Sequence, residues 1–120
     1  MVQTRRVFVT GMGVVSSLGL GRRAFWQALL AGKSGASKIE LFDPGSIGRD
    51  IACEIKGFRA RDFLTAAEAR RAGRCSQFAL AAARMAVEDA GIMPKDLRGE
   101  RTAVVMGTTM GEVEARSSVT

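Results

Sequence analysis

The sequence predicts an α/β protein in which helices and mostly parallel strands pack as layers. Three segments carry this prediction: a β-branched and aromatic run at residues 7–10, a small-residue helix over residues 65–90, and a continuous apolar run at residues 102–106. Apolar runs without alternation are typical of parallel strands covered on both faces. We therefore expect two buried strands and a central helix between layers.

Length and composition bound the class of protein. A chain of 120 residues can bury one modest core, which excludes a complete two-domain enzyme. With 47% hydrophobic and 25% charged residues, the chain is expected to be globular. No run approaches the roughly 20 apolar residues of a membrane span, so we expect a cytoplasmic protein that makes no membrane contact.

The first half of the chain alternates strand, helix and loop. The first strand ends at a glycine turn, Gly11-Met12-Gly13, and an amphipathic helix is predicted over residues 22–31 with Gly32 as its stop. We expect residues 33–48 to form a surface loop that Leu41-Phe42 pins to the core. Residues 51–58 are predicted to form a short edge strand.

The second half is dominated by the long helix. Thr65 and Glu68 form a capping-box pattern at its start, and Gly91 marks its end. A polar connection over residues 94–100 leads to the second strand, whose glycine turn, residues 107–111, precedes the predicted first turns of a helix at 112–120. Because that helix is cut short, we expect the chain to be part of a longer protein.

Positive charge is concentrated near the long helix. The net charge is +6, and five arginines share a short region with only Asp62 and Glu68 as acids. The five are Arg59, Arg61, Arg70, Arg71 and Arg74. They indicate either an acidic partner or a solvated helix face. Nucleic acid is the weaker partner class, because no aromatic residues are interleaved to stack on bases.

The common catalytic and cofactor-binding motifs are incomplete in this sequence. Gly11 and Gly13 begin a dinucleotide fingerprint, but its third position is Ser16 and the helix starts too late. The chain has no histidine, so neither a metal site nor a base for Ser16 or Ser17 can be assembled. Cys53 and Cys75 are expected to be small buried residues. We predict no catalytic residue, metal or cofactor here.

A set of motifs in a constant order carries a family resemblance. Residues 6–13 and 25–35 resemble the N-terminus of β-ketoacyl-acyl carrier protein synthases. Five later landmarks resemble that family in the same order: Leu41-Phe42-Asp43, Ile51-Ala52-Cys53-Glu54-Ile55, Ser76-Gln77-Phe78-Ala79-Leu80-Ala81-Ala82-Ala83, Glu88-Asp89-Ala90-Gly91 and Val105-Met106-Gly107-Thr108. The resemblance spans essentially the whole chain.

The resemblance implies a thiolase-like layered fold, of which residues 1–120 would be part of the N-terminal half. Family members load an acyl chain onto a cysteine, decarboxylate malonyl-carrier protein and join the two by Claisen condensation. The cysteine and two histidines lie downstream of the region corresponding to Thr120. Neither Cys53 nor Cys75 matches that nucleophile, and this chain alone is expected to be inactive.

Two further roles follow from the resemblance. Arg70 and Arg71 match the basic positions at which the family docks acidic acyl carrier protein. Met110 matches a turn position whose side chain lines the acyl pocket, with core packing as the alternative. The full-length protein is expected to form a homodimer or heterodimer of ketosynthase subunits.

Departures from the family pattern leave the subfamily open. Ala72-Gly73 replaces a common Met-Asp, and a glycine inside a helix costs about 1 kcal/mol relative to alanine. Cys75 and Cys53 also replace usual residues. A non-catalytic partner subunit resembling chain-length factors is therefore a second hypothesis, and a nucleotide-binding α/β domain a third.

Overall fold

The computed structural model describes residues 4–45 and 48–112 of the chain. In chain order its elements are strands β1 (Val15–Ser16) and β2 (Gly19–Leu20), helix α1 (Arg22–Leu30), strands β3 (Ser37–Lys38) and β4 (Ile51–Ala52), helix α2 (Ala66–Arg71) and helix α3 (Arg74–Asp89). Short 3-10 turns lie at Ala60–Asp62 and Pro94–Leu97. Helix α3 is the longest element and organises the rest.

The N-terminal hairpin leads directly into α1. Strands β1 and β2 pair antiparallel, with Val15 opposite Leu20. The Ser16 hydroxyl accepts from the Leu18 amide at 3.2 Å and donates to the Gly19 carbonyl at 3.1 Å, so Ser16 is a turn residue. Helix α1 ends one residue before its predicted end, and Gly32 follows with a φ of 63°, a conformation that glycine adopts without strain.

Gly11 and Gly13 lie against the backbone of α3. A Cβ on Gly13 would overlap the carbonyl oxygen of Ala82, and one on Gly11 would overlap that of Ala86. Glycine is thus needed for close packing of this segment on the small-residue face of α3. In the sequence this pair begins an incomplete dinucleotide fingerprint, and the geometry gives both glycines a packing role.

Asp89, the last residue of α3, ties the same region together. Its carboxylate accepts from the Met12 amide at 3.1 Å and from the Arg22 guanidinium at 2.7 Å. One side chain therefore links the glycine turn, the start of α1 and the end of α3. Gly91 follows with a φ of 65°, as predicted for the helix end.

The predicted edge strand at residues 51–58 is confirmed only at its start. Ile51 and Ala52 pair with Lys38 and Ser37, after which no strand continues. The Glu54 carboxylate instead accepts the amides of Glu40 and Leu41, at 2.9 and 3.0 Å. These amides are thus bound by a side chain in place of a backbone ladder. The segment predicted as a surface loop, residues 33–48, contains strand β3, and its residues 46 and 47 lie outside the described residues. Leu41 and Phe42 are exposed rather than pinned to the core.

The two predicted buried strands are not buried in this chain. Residues 7–10 and 102–106 form no regular strand, and Val7 and Val105 are 90% and 91% exposed. A strand forms only where a neighbouring backbone accepts its hydrogen bonds. Within residues 4–45 and 48–112, no segment pairs with either run. The prediction of burial is therefore wrong for the isolated chain.

The predicted single helix over residues 65–90 is two helices. Ala72 and Gly73 adopt extended conformations between α2 and α3, with ψ values of 126° and 174°. Gly73 is consequently the N-cap of α3 and not an interior residue. The capping box at the start of α2 is confirmed, with Thr65 and Glu68 exchanging both hydrogen bonds.

The core is small and centred on α3. Among the described residues, the buried apolar ones are Ala28, Phe58, Leu64 and Ala81. The radius of gyration is 17.7 Å, whereas a compact domain of this length has about 13–14 Å. Cys53 and Cys75 are both exposed, which corrects the expectation that they are buried. Of the helix predicted at 112–120, Glu112 is not helical and residues 113–120 lie outside the described residues.

Candidate docking face and pocket turn

Arg70 and Arg71 occupy the last turn of α2 and are both exposed. Basic side chains at a helix C-terminus oppose the negative end of the helix dipole and need no other partner to be stable there. Within residues 4–45 and 48–112, neither guanidinium makes an ion pair or a hydrogen bond to a side chain. Both charges therefore face solvent and can meet an acidic surface.

The other three arginines of the predicted cluster have different surroundings. Arg59 pairs with Asp62 at 2.9 Å. The Arg74 guanidinium lies 4.8 Å from the centre of the Phe78 ring and 5.7 Å from that of Phe58, so it is held by cation–π contacts. Arg61 is exposed. The structure thus reduces the available positive charge to Arg61, Arg70 and Arg71.

Glu68 anchors the start of α2. Its carboxylate accepts from the Thr65 amide and hydroxyl, both at 2.8 Å, and pairs with Arg84 of α3 at 2.8 Å. Arg84 also donates to the Phe63 carbonyl. The Thr65 contacts, followed by Arg84, hold the pKa of Glu68 below its usual value. This network attaches α2, the helix that carries Arg70 and Arg71, to α3.

The end of α2 is joined to α3 by Gln77. Its side-chain amide donates to the carbonyls of Ala69 and Ala72, at 3.0 and 2.9 Å. Those carbonyls are among the groups that a helix end leaves without partners. Because Gln77 lies in the first turn of α3, the two helices are bonded directly across the break.

Glu112 caps the start of α3 from across the chain. Its two oxygens accept the amides of Cys75 and Ser76, at 3.0 and 2.9 Å, and the Ser76 hydroxyl at 2.7 Å. The two hydrogen bonds from Ser76, followed by the one from Cys75, hold the pKa of Glu112 below its usual value. Sequence reasoning missed this residue. The available signal was Gly73, a glycine where a capping side chain would ordinarily stand.

Met110 lies in the turn that precedes Glu112. The Thr108 hydroxyl accepts the Gly111 amide at 3.0 Å and closes this turn. Met110 is 64% exposed. The structure therefore brings the turn next to the α2–α3 junction, while the pocket role of Met110 stays a prediction.

The described residues form neither a metal-binding cluster nor a membrane-spanning helix. No group of three or more histidine, cysteine or acidic residues is placed to hold a metal ion there. Across the same part of the chain, every helix is too short or too polar to cross a membrane.

Comparisons with known proteins define the fold class. A chain from the structure of the ishigamide ketosynthase/chain length factor superposes with a TM-score of 0.81 at 43% identity, over 92% of this chain and 27% of that one. A second similar chain comes from the complex of a type II polyketide synthase acyl-carrier protein with its ketosynthase bound to the hexaketide. It superposes with a TM-score of 0.61 at 36% identity, over 82% of this chain and 22% of that one. The fold is thus the layered thiolase-like α/β fold, of which this chain is part of the N-terminal half.

The family follows from the sequence comparisons. The family model "Beta-ketoacyl synthase, N-terminal domain" matches residues 4–120. The 3-oxoacyl-(acyl-carrier-protein) synthases 2 of Coxiella burnetii and Staphylococcus aureus are 40% and 37% identical, over 92% and 95% of this chain. This chain belongs to the β-ketoacyl synthase family. It spans about a quarter of the length of these relatives, 27% and 28%.

Proposed function

We propose that this chain is the N-terminal part of a β-ketoacyl-acyl carrier protein synthase acting in fatty acid or polyketide chain elongation. The observation that carries the proposal is its similarity, over 92% of its residues, to both a 3-oxoacyl-(acyl-carrier-protein) synthase 2 and a ketosynthase/chain length factor. In the proposed reaction an acyl chain moves from carrier protein to a cysteine thiol. Decarboxylation of malonyl-carrier protein then supplies the carbon nucleophile that displaces the thiol and forms the new C–C bond.

Residues 1–120 would contribute scaffold and recognition, with no catalytic residue among them. We place the nucleophilic cysteine and its two histidines beyond Thr120. The exposed apolar runs at residues 7–10 and 102–106 support this division, since neither has a strand partner among the described residues. In the full-length protein these runs would join a sheet covered on both faces.

Arg70 and Arg71 are proposed to dock the acidic acyl carrier protein. Both are exposed and their charges are not neutralised by a described side chain, as a docking site requires. Each such contact contributes about 1 kcal/mol or less and is weakened by salt. Met110 is proposed to line the acyl pocket, where a flexible thioether can fit chains of different shape.

The test is condensation by the full-length protein. Acyl-carrier protein and malonyl-carrier protein are mixed with the enzyme, and 3-oxoacyl-carrier protein is measured by mass spectrometry together with the carbon dioxide released. Product that is lost when the cysteine beyond Thr120 is changed to alanine supports the proposal. A full-length protein with that cysteine but without product, and with no acyl-enzyme formed, would contradict it.

A non-catalytic partner subunit is the second candidate, favoured by the similarity to a ketosynthase/chain length factor. Such a subunit would have the same first part, would lack the cysteine and would form a heterodimer with an active ketosynthase. The coding sequence beyond Thr120 separates the two: a cysteine at a strand-to-helix turn predicts the elongating enzyme and a homodimer, whereas its replacement predicts the partner subunit. The third hypothesis, a nucleotide-binding domain, has no supporting observation, because Gly11 and Gly13 pack against α3 and the family model covers residues 4–120.

A further inference from the structure

The contact between Glu112 and α3 joins two parts of the chain that the proposed function uses separately. One is the turn at residues 107–111, which carries Met110, and the other is the α2–α3 junction beside Arg70 and Arg71. Glu112 belongs to the first part by sequence and to the second by its hydrogen bonds, which span 36 and 37 residues.

The start of α3 depends on this carboxylate. Its N-cap is Gly73, which has no side chain to bind the first amides of the helix. Glu112 binds two of those amides, and its negative charge also lies at the positive end of the helix dipole. The helix therefore takes its cap from the turn and not from its own N-cap residue.

Space for the carboxylate exists because residue 73 is glycine. A Cβ at Gly73 would lie 2.6 Å from the Glu112 Cγ and would displace the side chain. The φ of Gly73, −68°, is available to any residue, so backbone strain does not require glycine here. The need for glycine at this position is the space it leaves for Glu112.

The turn is shaped to deliver Glu112 to this position. The Thr108 hydroxyl binds the Gly111 amide, and Gly111 has a φ of 63°, which glycine adopts readily. Across the junction, Gln77 holds the end of α2. A continuous set of hydrogen bonds thus runs from the Met110 turn through Glu112, the first turn of α3 and Gln77 to the helix bearing Arg70 and Arg71.

We propose that Glu112 is a positioning residue, which fastens the turn carrying Met110 to the α2–α3 junction and thereby sets the acyl chain lengths that the pocket accepts. The inference rests on the proposed function, since it takes Met110 as a wall of the acyl pocket. Glu112 itself touches neither substrate nor nucleophile. Its effect is on the position of the turn, so it alters selectivity rather than carrier-protein affinity.

The experiment distinguishes two effects of the Glu112 side chain: holding the turn at residues 107–111 in place and capping the start of α3. Four forms of the full-length protein are compared with wild type: Glu112→Ala, Glu112→Gln, Glu112→Ala with Gly73→Asp, and Glu100→Ala as the matched control at an exposed acid. In the double variant an aspartate at the N-cap can bind the Cys75 and Ser76 amides from within the helix. The double variant restores the cap but not the link to the turn.

The melting temperature and two further readouts are measured for each form. One is the ratio of kcat/KM for a long and a short acyl-carrier protein, with the KM for malonyl-carrier protein as the docking control. The other is hydrogen exchange of the amides at residues 107–111. Glu112→Ala is expected to change the ratio by about tenfold, the effect of roughly one methylene of pocket contact, and to speed exchange of the turn. The double variant should recover melting temperature but neither readout.

The results distinguish failure of the Glu112 inference from failure of the proposed function. An active protein whose ratio and exchange are the same in Glu112→Ala and Glu100→Ala would overturn the inference alone, as would full recovery of both readouts by Gly73→Asp. A wild-type protein that neither condenses acyl chains nor binds carrier protein would overturn the proposed function and the selectivity claim with it. If Glu112→Ala does not fold, Glu112→Gln, which keeps one acceptor oxygen, gives the same comparison.

Discussion

At Gly13 the backbone of the N-terminal segment approaches α3 so closely that no Cβ can fit between them. Gly11 has the same relation to the helix one turn further on. These residues show how little side-chain volume the interface allows, since α3 presents Ala82 and Ala86 to them. A glycine pair that resembles a nucleotide motif in sequence thus has a packing explanation in the structure.

Gly13→Ala is expected to destabilise the full-length protein by about 1–3 kcal/mol, the range for overpacking a close contact. The added Cβ would overlap the Ala82 carbonyl, a backbone atom that cannot rotate away. Urea unfolding measures the change. Ser34→Thr, which adds one carbon at an exposed residue, is the control and should be neutral. Equal stability of both variants would show that the segment moves without cost.

Reversing the charge of Arg70 and Arg71 is expected to weaken binding of acyl carrier protein and to flatten its salt dependence. Both guanidinium groups are exposed, so their attraction to an acidic partner is screened by added salt. Binding of the full-length Arg70→Glu, Arg71→Glu protein is measured by calorimetry at low and high salt. The control is Lys95→Glu with Arg98→Glu, a double variant that makes the same change in net charge away from α2. Unchanged affinity of the first variant at low salt would remove the docking role.

Helices α2 and α3 are separate elements whose facing ends are capped by side chains from elsewhere. The carbonyls at the end of α2 are bound by Gln77, and the amides at the start of α3 by Glu112. A helix end without such partners would leave polar groups unsatisfied. The break is therefore a stable structural feature, and it sets the direction of α2, which carries Arg70 and Arg71.

Gln77→Ala is expected to destabilise the protein by about 1–3 kcal/mol, because two neutral hydrogen bonds contribute about 0.5–1.5 kcal/mol each. The measurement is the free energy of unfolding in urea. Gln27→Ala removes the same side chain from an exposed position of α1 and should have little effect. A Gln77 variant as stable as the Gln27 variant would mean that water satisfies the end of α2 equally well.

The two capping carboxylates predict how stability depends on pH. The folded pKa values of Glu68 and Glu112 lie below the ordinary value of 4.5. A carboxyl group with a lowered folded pKa stabilises the protein fully above its unfolded pKa, and this stabilisation is lost as pH falls through the folded value.

Wild type should therefore exceed the double variant Glu68→Gln, Glu112→Gln in stability by a constant amount above pH 4.5, and the difference should shrink on acidification below it. Thermal unfolding of the full-length proteins across the acid range measures this difference. Glu88→Gln with Glu100→Gln is the control. A difference that grows on acidification would contradict the direction of the shifts.

As a whole molecule, the chain exposes more apolar surface than a complete domain. Residues 7–10 and 104–106 are exposed, as are Trp26 and Leu30 on α1. The radius of gyration of 17.7 Å exceeds the compact value of about 13–14 Å. Within residues 4–45 and 48–112, the buried apolar residues are two alanines, one leucine and one phenylalanine. Exposed surface of this kind is ordinarily covered by other parts of a protein.

The 120-residue chain alone is therefore expected to melt without a sharp cooperative transition and to bind a hydrophobic dye before heating. Differential scanning calorimetry and dye fluorescence measure these properties, and the full-length protein is the comparison. A monomer of the short chain with a single sharp heat-absorption peak would contradict this expectation.

The sequence by itself determined the family, helix α1 with its glycine stop, the Thr65–Glu68 capping box and the end of α3 at Gly91. These signals are local, because caps and glycine stops act within three or four residues. The order of the landmarks was sufficient for the family, and the comparisons confirmed it.

The tertiary structure alone decided the break at Gly73, the cap from Glu112 and the packing role of Gly11 and Gly13. Each depends on groups far apart in the chain, 36 and 37 residues for the Glu112 bonds. The burial of residues 7–10 and 102–106 was predicted wrongly for a related reason. Apolar composition shows that a strand can be buried, but burial needs neighbours to pair with and layers to cover it.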